Sequence, residues 1–286
     1  MKGFKRKIAH ILQRLMIMSN EREMIPIPAP MNTDALLQGK IALITGGSGG
    51  IGFAMGKAFI RHGAKVILAG TNEERLQSCL SRLASETENP CAQSLLINVL
   101  DTDAIPHKVE QAAALFPESR IDILVNAAGV TAHSSFLEMS EKEYDNIMDV
   151  NAKGTFFMSQ AVSRFMIERH IKGHILNVTS SSALRPAWTP YQMSKWAVRG
   201  FTLGLADTLA PYGIVVNAIA PGPTATPMLN KSEGDSICNV ENPSGRYAMP
   251  SEIAELAAFM VSEMGNMIVG DTFYMTCGSG TITYHH

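Results

Sequence analysis

A chain of 286 residues that is 46% hydrophobic and 17% charged, with 23 glycines, can hold one large domain or two small ones and has the apolar content to bury a core. Its 24 Lys and Arg against 26 Asp and Glu leave a formal net charge of −2, which supplies no general basic surface, so a nucleic-acid partner is not expected. Cys79, Cys91, Cys238 and Cys277 are scattered without a C-x-x-C or a Cys/His cluster, so neither a disulfide scaffold nor a metal site is expected, and a reducing cytoplasm is the expected compartment.

Residues 1 to 38 differ in composition from the rest of the chain. Lys2, Lys5, Arg6, Lys7 and Arg14 lead, and Pro26, Pro28 and Pro30 break any helix. Ile8, Ile11, Leu12, Leu15 and Met16 fall at helical spacing, which predicts a short amphipathic helix with basic flanks, able to pack on its own domain, a partner or a membrane surface. His10, Gln13 and Arg14 interrupt the apolar run, so export is not expected. No run of 18 apolar residues free of charges is present, so no spanning helix is predicted.

From Lys40 onward, short apolar runs alternate with amphipathic stretches. Seven strands are expected: KIALIT ending at Thr45, KVILAG at Gly70, SLLIN at Asn98, IDILVN at Asn126, HILNVTS at Ser180, IVVNAIA at Ala220 and DTFYMT at Thr276. Helix starts are marked by Asn72 before EERLQSCLSRLAS and by Ser251 before EIAELAAFMVS. Continuous apolar strands separated by helices predict an α/β fold, a three-layer doubly wound parallel sheet with helices on both faces. Nothing divides residues 39 to 286, so one domain is expected there.

The first strand runs into TGGSGGIG, in which Gly46, Gly50 and Gly52 form G-x-x-x-G-x-G at the start of a helix. Backbone N–H groups and the positive end of a helix dipole can there face a pyrophosphate, with no side chain to hold it away. The same residues spell Gly46-x-Ser48-x-Gly50, the nucleophile elbow of hydrolases, and a purely structural glycine turn is the plainer alternative. A hydrolase elbow comes after a central strand preceded by several others, whereas a single strand precedes Ser48.

A second constellation comprises Asn151 in VNAKG, Ser180 ending a strand, and YQMSK, which puts Tyr191 and Lys195 four positions apart on one helix face. An ammonium beside a phenol favours the phenolate, so Lys195 is expected to lower the Tyr191 pKa and make the side chain a proton donor and acceptor.

The order of these features resembles the short-chain dehydrogenase/reductase family over residues 38 to 280, most closely members of the 3-oxoacyl-carrier-protein-reductase kind. The resemblance rests on the glycine turn, Asn126-Ala127-Ala128-Gly129, Asn151, Ser180, Tyr191-x-x-x-Lys195 and Pro221-Gly222. It implies an NAD(P)-dependent oxidoreductase interconverting a ketone and a secondary alcohol. In it Tyr191 is the general acid/base, Lys195 binds the nicotinamide ribose and lowers the Tyr191 pKa, Ser180 holds the substrate oxygen and Asn151 supports a water. Ser180 stands eleven residues before Tyr191, slightly closer than is usual in the family, with Ser181 and Ser182 beside it. The resemblance further implies cofactor contacts from Gly46, Ser48, Gly49, Gly50, Ile51, Gly52, Thr71, Asn72, Asn98, Val99, Asn126, Ala127, Gly129, Pro221, Gly222, Thr224 and Thr226.

An acid at the end of the second strand would bond a ribose 2′-hydroxyl and repel a 2′-phosphate. Ala69-Gly70-Thr71-Asn72 has none, so NADP(H) is expected over NAD(H), although the basic residues that often grip the phosphate are missing at Gly49 and Thr71. The variable segment from Pro227 to Arg246 leaves the carbonyl or alcohol substrate open: a 3-oxoacyl thioester, or alternatively a sugar, polyol or steroid, with a non-catalytic dinucleotide sensor as the rival from another class. The resemblance also implies a homo-oligomer, a tetramer or dimer, assembled through the long helices after strands four and five and through the C-terminal strand.

Overall fold

The computed structural model describes residues 35–86, 91–232 and 234–282; the amphipathic extension expected over residues 8–16 lies outside them. Seven strands form one parallel sheet: β1 (Ile41–Thr45), β2 (Lys65–Gly70), β3 (Ala92–Leu96), β4 (Ile123–Asn126), β5 (His174–Val178), β6 (Val215–Pro221) and β7 (Thr272–Met275). Their order is β3-β2-β1-β4-β5-β6-β7, every neighbouring pair parallel. The expected doubly wound α/β sandwich is the fold.

The strands are apolar throughout because the sheet is covered on both faces. Along β1, Ala42 and Ile44 enter one core while Ile41 and Leu43 enter the other. Along β2, Val66 and Leu68 alternate with Ile67 and Ala69 in the same way. The first core lies under α1 (Gly50–Arg61), α2 (Glu73–Glu86) and α7 (Pro250–Met260). The second lies under α3 (Ile105–Ala113), α5 (Thr155–Glu168) and α6 (Pro190–Leu209). Leu37, ahead of β1, is fully buried in the first core. Between β4 and α5 come α4 (Glu141–Met148) and a π-helical turn, Asp149–Gly154.

Three local readings are corrected. β3 spans Ala92–Leu96, so Asn98 lies beyond its end, where its Oδ1 accepts the Leu100 N–H at 3.1 Å. This strand is the sheet edge and is half exposed, so its ends are not marked by a run of buried residues. Helix α7 begins at Pro250 with Met249, not Ser251, as its cap residue: the proline supplies a helical φ at the first position, and the Glu252 carboxylate accepts the Met249 N–H at 2.7 Å. β5 stops at Val178, so Ser180, expected to end that strand, lies two residues beyond it, and Asn151 sits in the π-helical turn. Asn72, by contrast, caps α2 as expected, its Oδ1 accepting the Arg75 N–H at 2.9 Å.

Strand order reverses between β1 and β4, which opens a crevice at the carboxyl ends of the strands. The glycine turn after β1, Thr71 after β2, Ala127 to Gly129 after β4, Ser180 after β5 and Gly222 after β6 all stand along that edge.

Candidate active site

The turn after β1 is glycine-rich because its backbone is packed against other backbone. Gly46 adopts φ +64°, and a Cβ there would lie 2.7 Å from the Ala127 carbonyl oxygen. A Cβ on Gly50 would meet Thr226 Cγ2 at 2.7 Å, so the turn also touches the segment after β6. Thr45 Oγ1 accepts the Ala127 and Ala128 N–H groups at 3.2 and 3.3 Å, which ties the Gly46 turn to the NAAG segment. Helix α1 starts at Gly50 with no side-chain cap and no acidic residue in its first turn. An uncapped, glycine-lined helix N-terminus in the crevice fits the pyrophosphate of a dinucleotide. Ser48 turns its Oγ toward Gly70, 3.4 Å from where a Cβ on that residue would stand, beside β2 rather than Tyr191.

The other expected cofactor positions divide by what their side chains do. Val99 is buried against the π-helical turn, where a Cβ on Gly154 would lie 2.7 Å from Val99 Cγ2. Ile51 packs on the first core. Asn126 turns its amide inward and donates to Ser159 Oγ and Asn177 Oδ1, both at 2.9 Å, so only its backbone faces the crevice edge. Pro221 ends β6, and a Cβ on Gly222 would meet the Thr276 backbone. Thr224 and Thr226 are buried, their hydroxyls donating to the carbonyls of Gly222 and Thr224. Thr71 is exposed, and Asn72 has spent its side-chain oxygen on the α2 cap.

Ser180, Tyr191, Lys195 and Asn151 come together. Ser180, two residues past β5, hydrogen-bonds the Tyr191 phenol and accepts the Ser182 N–H at 3.1 Å. Tyr191 stands at the start of α6, whose first turn is fixed by Pro190 and by a Thr189 N–H bond to Gln192 Oε1 at 2.9 Å. One turn on, the buried Lys195 donates from Nζ to the Val178 carbonyl at 3.0 Å, with the ammonium 5.7 Å from the Tyr191 ring centroid. Gly129 approaches the same point: a Cβ there would lie 3.6 Å from Lys195 Nζ and 3.3 Å from Asn151 Oδ1.

Two electrostatic expectations change. Burial pushes the Tyr191 phenol above its ordinary value, and the Ser180 bond pulls it back in part. Lys195 does not set that balance as expected, because its ammonium is turned to the Val178 carbonyl and stands over the ring instead of at the phenolic oxygen. Lys195 is itself pushed down to about 8 by burial.

The Asn151 side chain is engaged within the protein. Its Oδ1 accepts the Val130 N–H at 2.8 Å, and its Nδ2 donates to the Val130 carbonyl at 2.9 Å and to Ser194 Oγ at 3.0 Å. The amide is thereby saturated in both its N–H donors, and it pins the loop that continues NAAG. The π-helical turn shifts the hydrogen-bond ladder around its backbone, and Thr155 Oγ1 donates to the Asn151 carbonyl at 2.8 Å. The sequence reading missed two residues. Thr179 Oγ1 donates to the Lys195 carbonyl at 2.8 Å, and Ser194, fully buried, donates to the Tyr191 carbonyl at 2.7 Å. Ser194 had no signal beyond its place inside the Y-x-x-x-K segment.

Residues 40–236 match the short chain dehydrogenase family. The chain is 35% identical over 250 residues to a gluconate 5-dehydrogenase of Gluconobacter oxydans, covering 85% of this chain and 95% of the relative. It is 36% identical over 240 residues to a 3-oxoacyl-[acyl-carrier-protein] reductase of Thermotoga maritima, covering 82% and 95%. Among solved structures, a Burkholderia cenocepacia gluconate 5-dehydrogenase in complex with NADP and tartrate superposes with a TM-score of 0.79 at 28% identity, covering 88% of this chain and 100% of that one.

Proposed function

This chain belongs to the short-chain dehydrogenase family, oxidoreductases that act on CH–OH groups with NAD(P), and on that premise we propose that it interconverts a small ketone and a secondary alcohol with NADP(H) favoured. The observation that carries the reading is the Ser180 hydroxyl bonded to the Tyr191 phenol beside the buried Lys195, at the end of the crevice that the uncapped α1 N-terminus opens.

A bound nicotinamide cofactor supplies or accepts the hydride. The protein's own groups handle the oxygen and the proton. In reduction, Ser180 and Tyr191 donate hydrogen bonds to the substrate carbonyl oxygen, and the charge developing there is stabilised by donors already in place. Tyr191, which burial keeps protonated, then gives its proton to that oxygen. Oxidation is the reverse, with the phenolate taking the alcohol proton. Lys195, fixed by Val178 with its ammonium over the Tyr191 ring, would donate to the cofactor's ribose hydroxyls. The glycine turn and the uncapped α1 N-terminus would hold the pyrophosphate.

The absence of an acid after β2 supports NADP(H), as does the bound NADP named for the Burkholderia relative. For the substrate, the segment from Pro227 to Arg246 supports a small molecule over an acidic carrier protein. The Arg246 guanidinium forks onto Glu252 at 2.6 and 2.8 Å, and Lys231 Nζ donates to the Ser236 carbonyl at 3.0 Å, so both cations are already engaged. Exposed Phe156, Met193, Trp196 and Leu203 on α5 and α6 support a homo-oligomer built through those helices. Among the described residues no helix is long and apolar enough to cross a membrane.

The test is turnover by the purified full chain with NADPH and with NADH against a panel of keto-sugar acids, 3-oxoacyl thioesters and simple ketones. Oxidation of NADPH with at least one keto acid or ketone is expected. Binding of cofactor without turnover of any member would favour the non-catalytic sensor.

A further inference from the structure

Beyond the end of β2 the crevice continues into a cavity of 330 Å³, separate from the Tyr191 cluster. Gly70, Thr71, Asn98, Asp101, Ala104 and Lys108 line it. Among the described residues Lys108 is its only lining cation. It stands one turn into α3, is half-buried, and forms no ion pair among the described residues. Asp101 is the only lining carboxylate, and one of its oxygens is held in the turn ahead of α3, where it accepts the Ala104 N–H at 3.3 Å. An ammonium that lines an open cavity with no carboxylate paired to it is placed to take an anion there.

The ribose 2′-position of a dinucleotide on a doubly wound sheet lies beside the end of the second strand. Here that end is Gly70-Thr71, which lines the cavity with Lys108, and the Ser48 hydroxyl is turned toward Gly70. We propose that Lys108 is the residue that selects a 2′-phosphorylated dinucleotide, reaching from this cavity to a phosphate seated beside Thr71. The inference rests on the nucleotide-binding reading of the crevice and deepens it. It also answers why a chain with Gly49 in the glycine turn and Thr71 after β2, both uncharged, lacks the acid that would enforce NAD(H). The discriminating cation comes from α3, well past the end of β3, where a sequence comparison of the β2 end does not look. Arg75 is the rival cation. It lies in the first turn of α2, its N–H bonded to Asn72 Oδ1, and is not among the residues that line the cavity.

The experiment uses adenosine 2′,5′-bisphosphate and 5′-AMP, which differ by the 2′-phosphate alone, titrated calorimetrically into the full chain and into Lys108→Met, Lys108→Arg and Arg75→Gln. The wild type should prefer the bisphosphate. Lys108→Met should weaken the bisphosphate about tenfold, the scale of one charge-assisted contact, and leave AMP within about twofold. Lys108→Arg should keep most of the preference. An undiminished preference in Lys108→Met, a loss found in Arg75→Gln instead, or a wild type that binds the two nucleotides equally overturns the assignment of Lys108 while leaving the oxidoreductase reading in place. A wild type that binds neither nucleotide overturns both.

Discussion

The Asn151 amide donates to the Ser194 hydroxyl at 3.0 Å, and Ser194 passes that bond on to the Tyr191 carbonyl at 2.7 Å. A π-helical turn on one side of the crevice is thereby tied to the residue proposed to move the proton. Removing the hydroxyl leaves a buried amide proton without a partner, at a cost of about 1–3 kcal/mol. Ser194→Ala should therefore lower kcat about tenfold through displacement of Tyr191, with KM little changed and the pH of the alkaline limb unmoved. Steady-state kinetics across pH on the variant and the wild type measure this. A change confined to thermal stability would make Ser194 a packing residue only.

Ser180 has two separable effects. Its bond to the Tyr191 phenol favours the phenolate, so its loss raises a pKa that burial already holds high. It is also a proposed donor to the substrate oxygen. Ser180→Ala should lower alcohol oxidation by roughly 10²-fold. It should also move the limb along which oxidation rises with pH to still higher pH. A shift toward lower pH would contradict the arrangement.

Lys195 is held against its own stability. Burial brings its pKa from 10.5 down to about 8, so the unfolded chain binds the proton more tightly than the folded one. The penalty is present in full below about pH 8, shrinks as pH rises toward 10.5, and is gone above that. Lys195→Met should therefore unfold at higher denaturant than the wild type at pH 7, with the gap closing between about pH 8 and 10.5, while nucleotide affinity and turnover fall. Urea midpoints for both proteins over that range check the sign. A gap that widens with pH would show that the lysine is stabilised, not strained, by its site.

The features legible in the sequence are those that a single stretch of residue types can report. β1, β2, β4, β6 and the start of β5 are readable because strands buried on both faces are continuous apolar runs, as Ile41 to Ile44 are, whereas β5 stops at Val178, two residues short of the expected Ser180. β3 was misplaced by two residues because an exposed edge lacks that signature. Glycines that meet backbone, such as Gly46 against Ala127, announced the turn. The spacing of Tyr191 and Lys195 gave their shared face but not the depth of either group, and depth decides the direction of both pKa shifts. The π-helical turn at Asn151, the Ser194 and Thr179 bonds and the Lys108 cavity depend on segments far apart in the chain, and no local pattern carries them.

The central claim is that Tyr191 supplies and removes the proton in an NADP(H)-dependent ketone and alcohol interconversion. It is tested most directly by Tyr191→Phe, with NADPH binding measured by fluorescence and ketone reduction by NADPH oxidation on the same preparations. The account predicts NADPH affinity within about twofold of the wild type and a turnover lower by about 10²–10⁴-fold, the range of a lost general acid. Turnover equal to the wild type, with cofactor binding intact, would contradict it.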